Sequence, residues 1–186
     1  MNETDEILYG RFLAEDRDED LAALMERYSE RLTLFLYGFL HSVPDAQDLM
    51  LDTFAHVAAR TARYSEGKGA SFKTWLFAVA RNLARTQLRR HWVNQVELRD
   101  GIEDERDTPE NELLKEEQNR QLYQALDMIN PDYRQVLYLS YFEDMEHEEI
   151  ARVMKKTRKQ IYNLASRGRI ALREQLEKMG FVYEQY

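Results

Sequence analysis

Cysteine is absent from the 186 residues. That excludes disulfides, thiolate catalysis and Cys-based zinc sites, and it suits a reducing, cytoplasmic setting. Only 3 prolines and 7 glycines interrupt the chain, and the apolar–polar alternation that strands need is hard to find. No apolar run approaches the ~20 residues of a membrane span. Met1 to Asp20 is acidic and lacks the basic start and apolar stretch of a secretory signal. What remains is rich in Leu, Ala, Glu, Arg and Gln, all helix formers. The 44% hydrophobic fraction can build a core and the 32% charged fraction covers a surface. The length fits one ordinary domain or two small ones, and the expected fold is all-α.

A net charge of -8 opposes nucleic acid, because phosphates attract cations. The distribution says otherwise. From Phe72 to Trp92 there is no acid, while Lys73, Arg81, Arg85, Arg89 and Arg90 are basic. From Ala151 to Met179 the cations Arg152, Lys155, Lys156, Arg158, Lys159, Arg167, Arg169, Arg173 and Lys178 face only Glu174 and Glu177. Between the two lies an acidic stretch from Glu97 to Glu117. Two basic segments around an acidic one suit two nucleic-acid footprints joined by a linker. Solvated helix faces give charge runs as well, so charge alone leaves both readings open.

Apolar spacing of three and four predicts a helix over 21–40, with Leu21, Leu24, Tyr28, Leu32, Phe35, Leu36 and Phe39 on one face. Pro44 breaks it and suits the start of another, over about 46–62. A loop over 64–71 contains Gly67 and Gly69. Ser71 can then cap a helix over about 72–91. The stretch 100–109 is acidic and without apolar periodicity, a flexible linker. A second helical block begins near Glu110, is punctuated by Asn130-Pro131-Asp132, and resumes over 133–141. Last come a short helix over 148–154, a turn at Lys155-Lys156, and a helix over 157–178.

That final pair reads as a helix-turn-helix. Ile150, Ala151, Val153 and Met154 give the first helix an apolar side, and Thr157 can cap the second. Ile161, Ala165, Gly168 and Leu172 form a buried stripe in which the small residues permit close helix approach. Arg158, Lys159, Tyr162, Asn163, Ser166, Arg167 and Arg169 point the other way and can donate to phosphates and base edges. The bland alternative is any helical hairpin; the concentration of cations on one face favours DNA.

These residues carry a resemblance. Glu148-Glu149-Ile150-Ala151, Gln160-Ile161-Tyr162-Asn163 and Ser166-Arg167-Gly168-Arg169-Ile170-Ala171-Leu172-Arg173 resemble the C-terminal domain of extracytoplasmic-function sigma factors of the sigma-70 family. Asp45-Ala46-Gln47-Asp48-Leu49 with Asp52-Thr53-Phe54 is similar to that family's core-binding helix. Gly69-Ala70-Ser71-Phe72-Lys73-Thr74-Trp75-Leu76 with Ala80-Arg81-Asn82 is similar to its promoter-melting segment. The match spans nearly the whole chain in the right order.

The resemblance implies a non-enzymatic subunit that directs core RNA polymerase to promoters. It implies a domain for core binding and the -10 element (1–95), an acidic linker (96–111) and a helix-turn-helix domain for the -35 element (112–186). It implies Asp48, Leu49, Asp52 and Phe54 against the polymerase clamp helices, a flap contact from the second domain, and often an anti-sigma factor, through which alone a membrane would be met. The loop from Ser65 to Ser71, including Lys68, would with Asn82 capture a flipped -10 base. Tyr64, Phe72 and Trp75 offer rings for stacking. Lys73, Arg81, Arg85 and Arg89 offer charge for the separated backbone. Core packing is the competing reading for Trp75, which shares a face with Val79 and Leu83.

Three positions depart from the family. Lys155 and Lys156 occupy a turn that usually carries a glycine and then an apolar residue. Glu146 replaces a capping Ser or Thr, and Leu164 stands where a cation is common. No cofactor or metal is expected: His41, His56, His91 and His147 are scattered, His147-Glu148-Glu149 lacks the second histidine of a zinc-protease helix, and Gly67-Lys68-Gly69 is too short for a P-loop. The main rival is a stand-alone helix-turn-helix regulator, against which the N-terminal domain argues.

Overall fold

The structure is a computed structural model and describes residues 3–61, 64, 69–97 and 117–180. The described residues are helical, without a strand. The chain divides into two compact units, 1–108 and 109–186.

The first unit holds four helices: α1 (Asp5–Glu15), α2 (Asp18–Leu40), α3 (Val43–Ala58) and α4 (Phe72–Glu97). The long α2 lies at its centre and packs on the other three. Its periodic residues Leu24, Tyr28, Leu32, Phe35 and Leu36 are buried, as the spacing predicts, against Leu49, Phe54 and Val57 of α3 and Phe72, Leu76, Phe77, Ala80 and Ala84 of α4. Ser42 caps α3 by accepting the Asp45 N–H at 3.3 Å, with Pro44 in the first turn. The helix therefore starts at Val43, earlier than the expected 46. It ends at Ala58, and Arg60 takes a left-handed backbone (φ 55°). Ser71 caps α4 as expected: its Oγ accepts the Thr74 N–H at 3.2 Å.

Helix α1 adds an element ahead of the expected 21–40 helix. Thr4 caps it at the Ile7 N–H, and Asp5 and Glu6 sit in its first turn, where the helix dipole favours them. It buries Leu8, Tyr9 and Phe12. Polar bonds fasten it to α2. Arg11 donates to Glu3 at 2.5 Å and to the buried Asp20 at 2.6 Å, and Asp5 accepts from both Arg27 and the Tyr28 hydroxyl. The Arg11 hydrogen bond holds the Asp20 carboxyl below the ordinary carboxylate range. Burial, then the bond to Asp5, push the Tyr28 hydroxyl well above its usual range.

The second unit holds α5 (Glu117–Asp127), α6 (Pro131–Tyr141), α7 (His147–Met154) and α8 (Arg158–Lys178). Asn130 caps α6 by accepting the Asp132 N–H at 2.9 Å. The buried Arg134 reaches back to the end of α5. Its Nε donates to the Leu126 carbonyl at 2.8 Å and Nη2 to the Asp127 carbonyl at 2.7 Å. Those are carbonyls that a helix end leaves without an intrahelical partner. Helix α8 packs on α6 and on α7. At Gly168 an added Cβ would lie 3.2 Å from Tyr133 Cβ and 3.3 Å from Leu137 Cγ. The close approach that this glycine allows is thus to α6, two helices back. The expected linker residues 100–109, the start of the second block near 110, and the C-terminal 181–186 lie outside the described residues.

Candidate nucleic-acid interface

The turn between α7 and α8 keeps its geometry without a glycine. Lys155 adopts the left-handed conformation itself (φ 53°, ψ 48°), a backbone that costs a residue with a Cβ roughly 1 kcal/mol. Its N–H bonds the Arg152 carbonyl and the Lys156 N–H the Ala151 carbonyl, closing the end of α7. Lys156, in the place of an apolar residue, is half-buried and pairs with Asp132 at 3.1 Å. Glu146 is a workable helix start: its N–H donates to Glu149 Oε2 at 3.0 Å. Thr157 and Gln160 cap α8 reciprocally, Thr157 Oγ1 accepting the Gln160 N–H at 3.3 Å and Gln160 Oε1 the Thr157 N–H at 2.8 Å.

With α8 fixed in this way, Ile161, Ala165 and Gly168 of the expected stripe are buried, whereas Leu172 is only half-buried and Leu176, one turn further on, is buried instead. Arg158, Lys159, Tyr162, Asn163, Arg167 and Arg169 are exposed and Ser166 is half-buried. At about 100° per residue these seven span one half of the helix circumference. Ile170, 57% exposed, lies among them and was not singled out from the sequence. An apolar side chain there can meet a thymine methyl in a major groove. Tyr162 is supported edge-on by His147, ring centroids 6.1 Å apart. Leu164, the other departure, is half-buried.

In the first unit Trp75, Asn82, Arg85 and Arg89 fall within about a quarter of the circumference of α4. Trp75 and Asn82 are half-buried and Arg85 and Arg89 exposed. A ring, an amide and two cations along one ridge can stack a base, bond its edge and hold phosphates. Tyr64 is half-buried, donates its hydroxyl to the Ala70 carbonyl at 3.0 Å, and lies 5.8 Å from Trp75. Two of the expected contacts sit elsewhere. Phe72 is fully buried and Arg81 is 3% exposed, so both belong to the packed interior. Lys73 is half-buried. Ser65 and Lys68 lie outside the described residues. Tyr9, which the sequence did not bring forward, joins the rings at 5.1 Å from Phe72, 5.5 Å from Trp75 and 6.1 Å from Tyr64.

On α3 the structure separates the four expected docking residues. Asp48 and Asp52 are exposed one turn apart, while Leu49 and Phe54 are buried in the core. The exposed apolar residue is Leu51, 48% accessible, which shares the outer face with the two acids.

The first unit thus carries an aromatic and cationic ridge and the second a capped helix-turn-helix that presents cations, the features of a helical DNA-binding protein. Residues 24–93 match the family model Sigma-70 region 2 and residues 119–172 the model Sigma-70, region 4. The chain is 32% identical over 139 residues to the RNA polymerase sigma factor CarQ of Myxococcus xanthus, covering 74% of this chain and 76% of that protein. It is 24% identical over 164 residues to the RNA polymerase sigma factor YlaC of Bacillus subtilis, covering 86% and 94%. With the ECF RNA polymerase sigma factor BldN of Streptomyces coelicolor it shares 29% identity over 149 residues, 78% of this chain and 56% of that protein. The chain belongs to the sigma-70 family of RNA polymerase sigma factors, in its extracytoplasmic-function group. Its fold is that of the sigma factor RpoE solved with the anti-sigma factor NepR from Bartonella quintana, with a TM-score of 0.70, 23% identity, and coverage of 86% of this chain and 98% of that one. It is also that of CnrH solved with the cytosolic domain of CnrY, with a TM-score of 0.67 and 19% identity. Among the described residues no helix is long and apolar enough to cross a membrane.

Proposed function

We propose that this sigma factor carries core RNA polymerase to its promoters through three surfaces of its own. Helix α8 reads the -35 element in the major groove with Arg158, Lys159, Tyr162, Asn163, Ser166, Arg167 and Arg169, joined by Ile170. The α4 ridge captures the -10 element, with Trp75 and Tyr64 for stacking, Asn82 for a base edge, and Arg85 and Arg89 for the backbone. The outer face of α3, with Asp48, Leu51 and Asp52, docks on the polymerase clamp. The single observation that carries the reading is the half-circumference of α8, polar, largely cationic and solvent-facing, behind a turn whose ends are all capped. The first domain is taken to run over 1–95, the acidic linker over 96–111 and the second domain over 112–186.

Opening a promoter needs no covalent chemistry, so the protein acts as a binding subunit without cofactor or metal, in the cytoplasm. The net charge of -8 repels DNA at long range and leaves specific binding to the holoenzyme. An anti-sigma factor is a natural further partner, since the sigma factor RpoE of like fold was solved with the anti-sigma factor NepR.

Run-off transcription of genomic fragments by core polymerase, with and without the protein, tests the reading beside a gel shift with the protein alone. Starts that need both components, with no shift by the protein alone, are the expected result. A specific shift without polymerase, and no new starts with it, would instead make this a stand-alone regulator.

A further inference from the structure

Helix α1 precedes the region 2 match, which begins at residue 24, yet it makes two contacts with the start of α4. Glu6 Oε1 accepts the Phe72 N–H at 3.0 Å. That donor is one of those a helix N-terminus leaves without a partner in its own helix, and a carboxylate there also meets the positive end of the dipole. Ser71 Oγ serves the Thr74 N–H, so α4 is capped jointly by its own loop and by a side chain 66 residues away. The second contact is Tyr9. It is 1% exposed and its ring lies within 6.1 Å of Tyr64, Phe72 and Trp75 alike. The rings of Tyr64 and Trp75, offered above for stacking a base, therefore rest on a ring supplied by α1.

We infer that α1 belongs to the promoter-opening apparatus, with Glu6 and Tyr9 as positioning residues for the -10 contact. The inference rests on the proposed role of the α4 ridge. Neither residue touches DNA. Glu6 fixes where α4 begins, hence where Trp75 stands. Tyr9 fixes how Trp75 and Tyr64 tilt. A base leaving the duplex needs a pocket already in place, because whatever order the pocket lacks is charged against the unstacking it must offset.

The test compares full-length Glu6→Ala, Glu6→Gln and Tyr9→Leu with wild type, each bound to core polymerase. The templates are a duplex promoter and the same promoter with its -10 region pre-melted by mismatches. Arg27→Ala, which loosens α1 on α2 at Asp5 without touching α4, is the control for general loosening. Expected is an open-complex yield about tenfold lower on duplex for Glu6→Ala and Tyr9→Leu, the scale of one lost hydrogen bond or ring contact. Recovery is expected on the pre-melted template, with core affinity unchanged. Glu6→Gln keeps an acceptor and should restore most of the duplex yield. Equal loss on both templates, no loss on either, or the same duplex defect in Arg27→Ala would each overturn the inference. A wild-type protein that starts transcription on neither template would sink the sigma-factor assignment of the ridge itself, a different failure.

Discussion

Arg158, the first residue of the recognition helix, is held by Glu148 of α7 at 2.7 Å. Both are largely exposed, 71% and 49%, so the pair contributes less than about 1 kcal/mol. In the proposed -35 contact a phosphate must nonetheless displace Glu148 before it can use that guanidinium fully. Glu148→Gln is expected to tighten promoter binding by the holoenzyme up to about fivefold and to steepen its dependence on salt, since one anion leaves the DNA-facing surface. Filter binding across a potassium chloride series measures both. Weaker binding would mean that Glu148 aims Arg158 rather than restraining it.

Leu51 and Leu49 are two residues apart on α3 and answer different questions. Leu51 is on the surface with Asp48 and Asp52, while Leu49 is in the core. Leu51→Arg is expected to lower core-polymerase affinity about tenfold or more at unchanged thermal stability, by placing a cation where the acids suit a basic partner. Leu49→Ala is expected to cost about 2–4 kcal/mol of stability while the folded fraction keeps its affinity. Competition for core polymerase, read beside thermal melts, separates the two. An unaltered affinity for Leu51→Arg would remove this face from the docking surface.

Lys155 offers a test of the turn. Glycine there escapes the left-handed penalty of about 1 kcal/mol but gives some of it back as freedom of the unfolded chain. Lys155→Gly should raise stability by about 0.5 kcal/mol, which is roughly 2–4 °C for a domain of this size. Lys155→Val, β-branched, should lower it by more than about 1 kcal/mol. If the glycine variant melted lower than wild type, the turn would not be strained at this residue.

The buried Asp20 sets a pH dependence. Its carboxyl titrates below the ordinary range because Arg11, and secondarily the charge of Arg17, favour the anion. A depressed folded-state value contributes stability that is complete above the unfolded value of about 3.9 and is lost as pH falls through the folded one. Exposed Glu3 is shifted the same way by the same arginine. Denaturant titrations between pH 7 and pH 3 should show Asp20→Asn less stable than wild type at pH 7, with the gap closing in acid. A constant gap would mean that the Arg11 bond does not discriminate between the two charge states.

The sequence disclosed most readily what repeats at helical spacing. The stripes of α2 and α8, the Ser71 cap and the cationic outward face of α8 follow from the order of residues alone. What it withheld were choices between faces. Leu49, Leu51 and Phe54 are all apolar on one helix, and only packing against α2 decides that Leu51 is the one left outside. Phe72 and Arg81 are of types that suit DNA, but on α4 they point inward. Helix α1 escaped notice because its buried residues are only Leu8, Tyr9 and Phe12 amid acids. Its signature is the Thr4 cap followed by Asp5 and Glu6, a polar signal that is easily read as mere charge. The turn at Lys155 shows the reverse: local composition argued against a geometry that the surrounding packing and caps impose.

The reach of Arg134 to the carbonyls of Leu126 and Asp127 ties together two events that a short helix normally keeps apart. Fraying of the last turn of α5 would leave a buried guanidinium facing no oxygen on that side, a cost far above that of an ordinary helix end. The end of α5 is therefore governed by the stability of α6 rather than by its own. The last turn of α5 and the first turns of α6 form or open together.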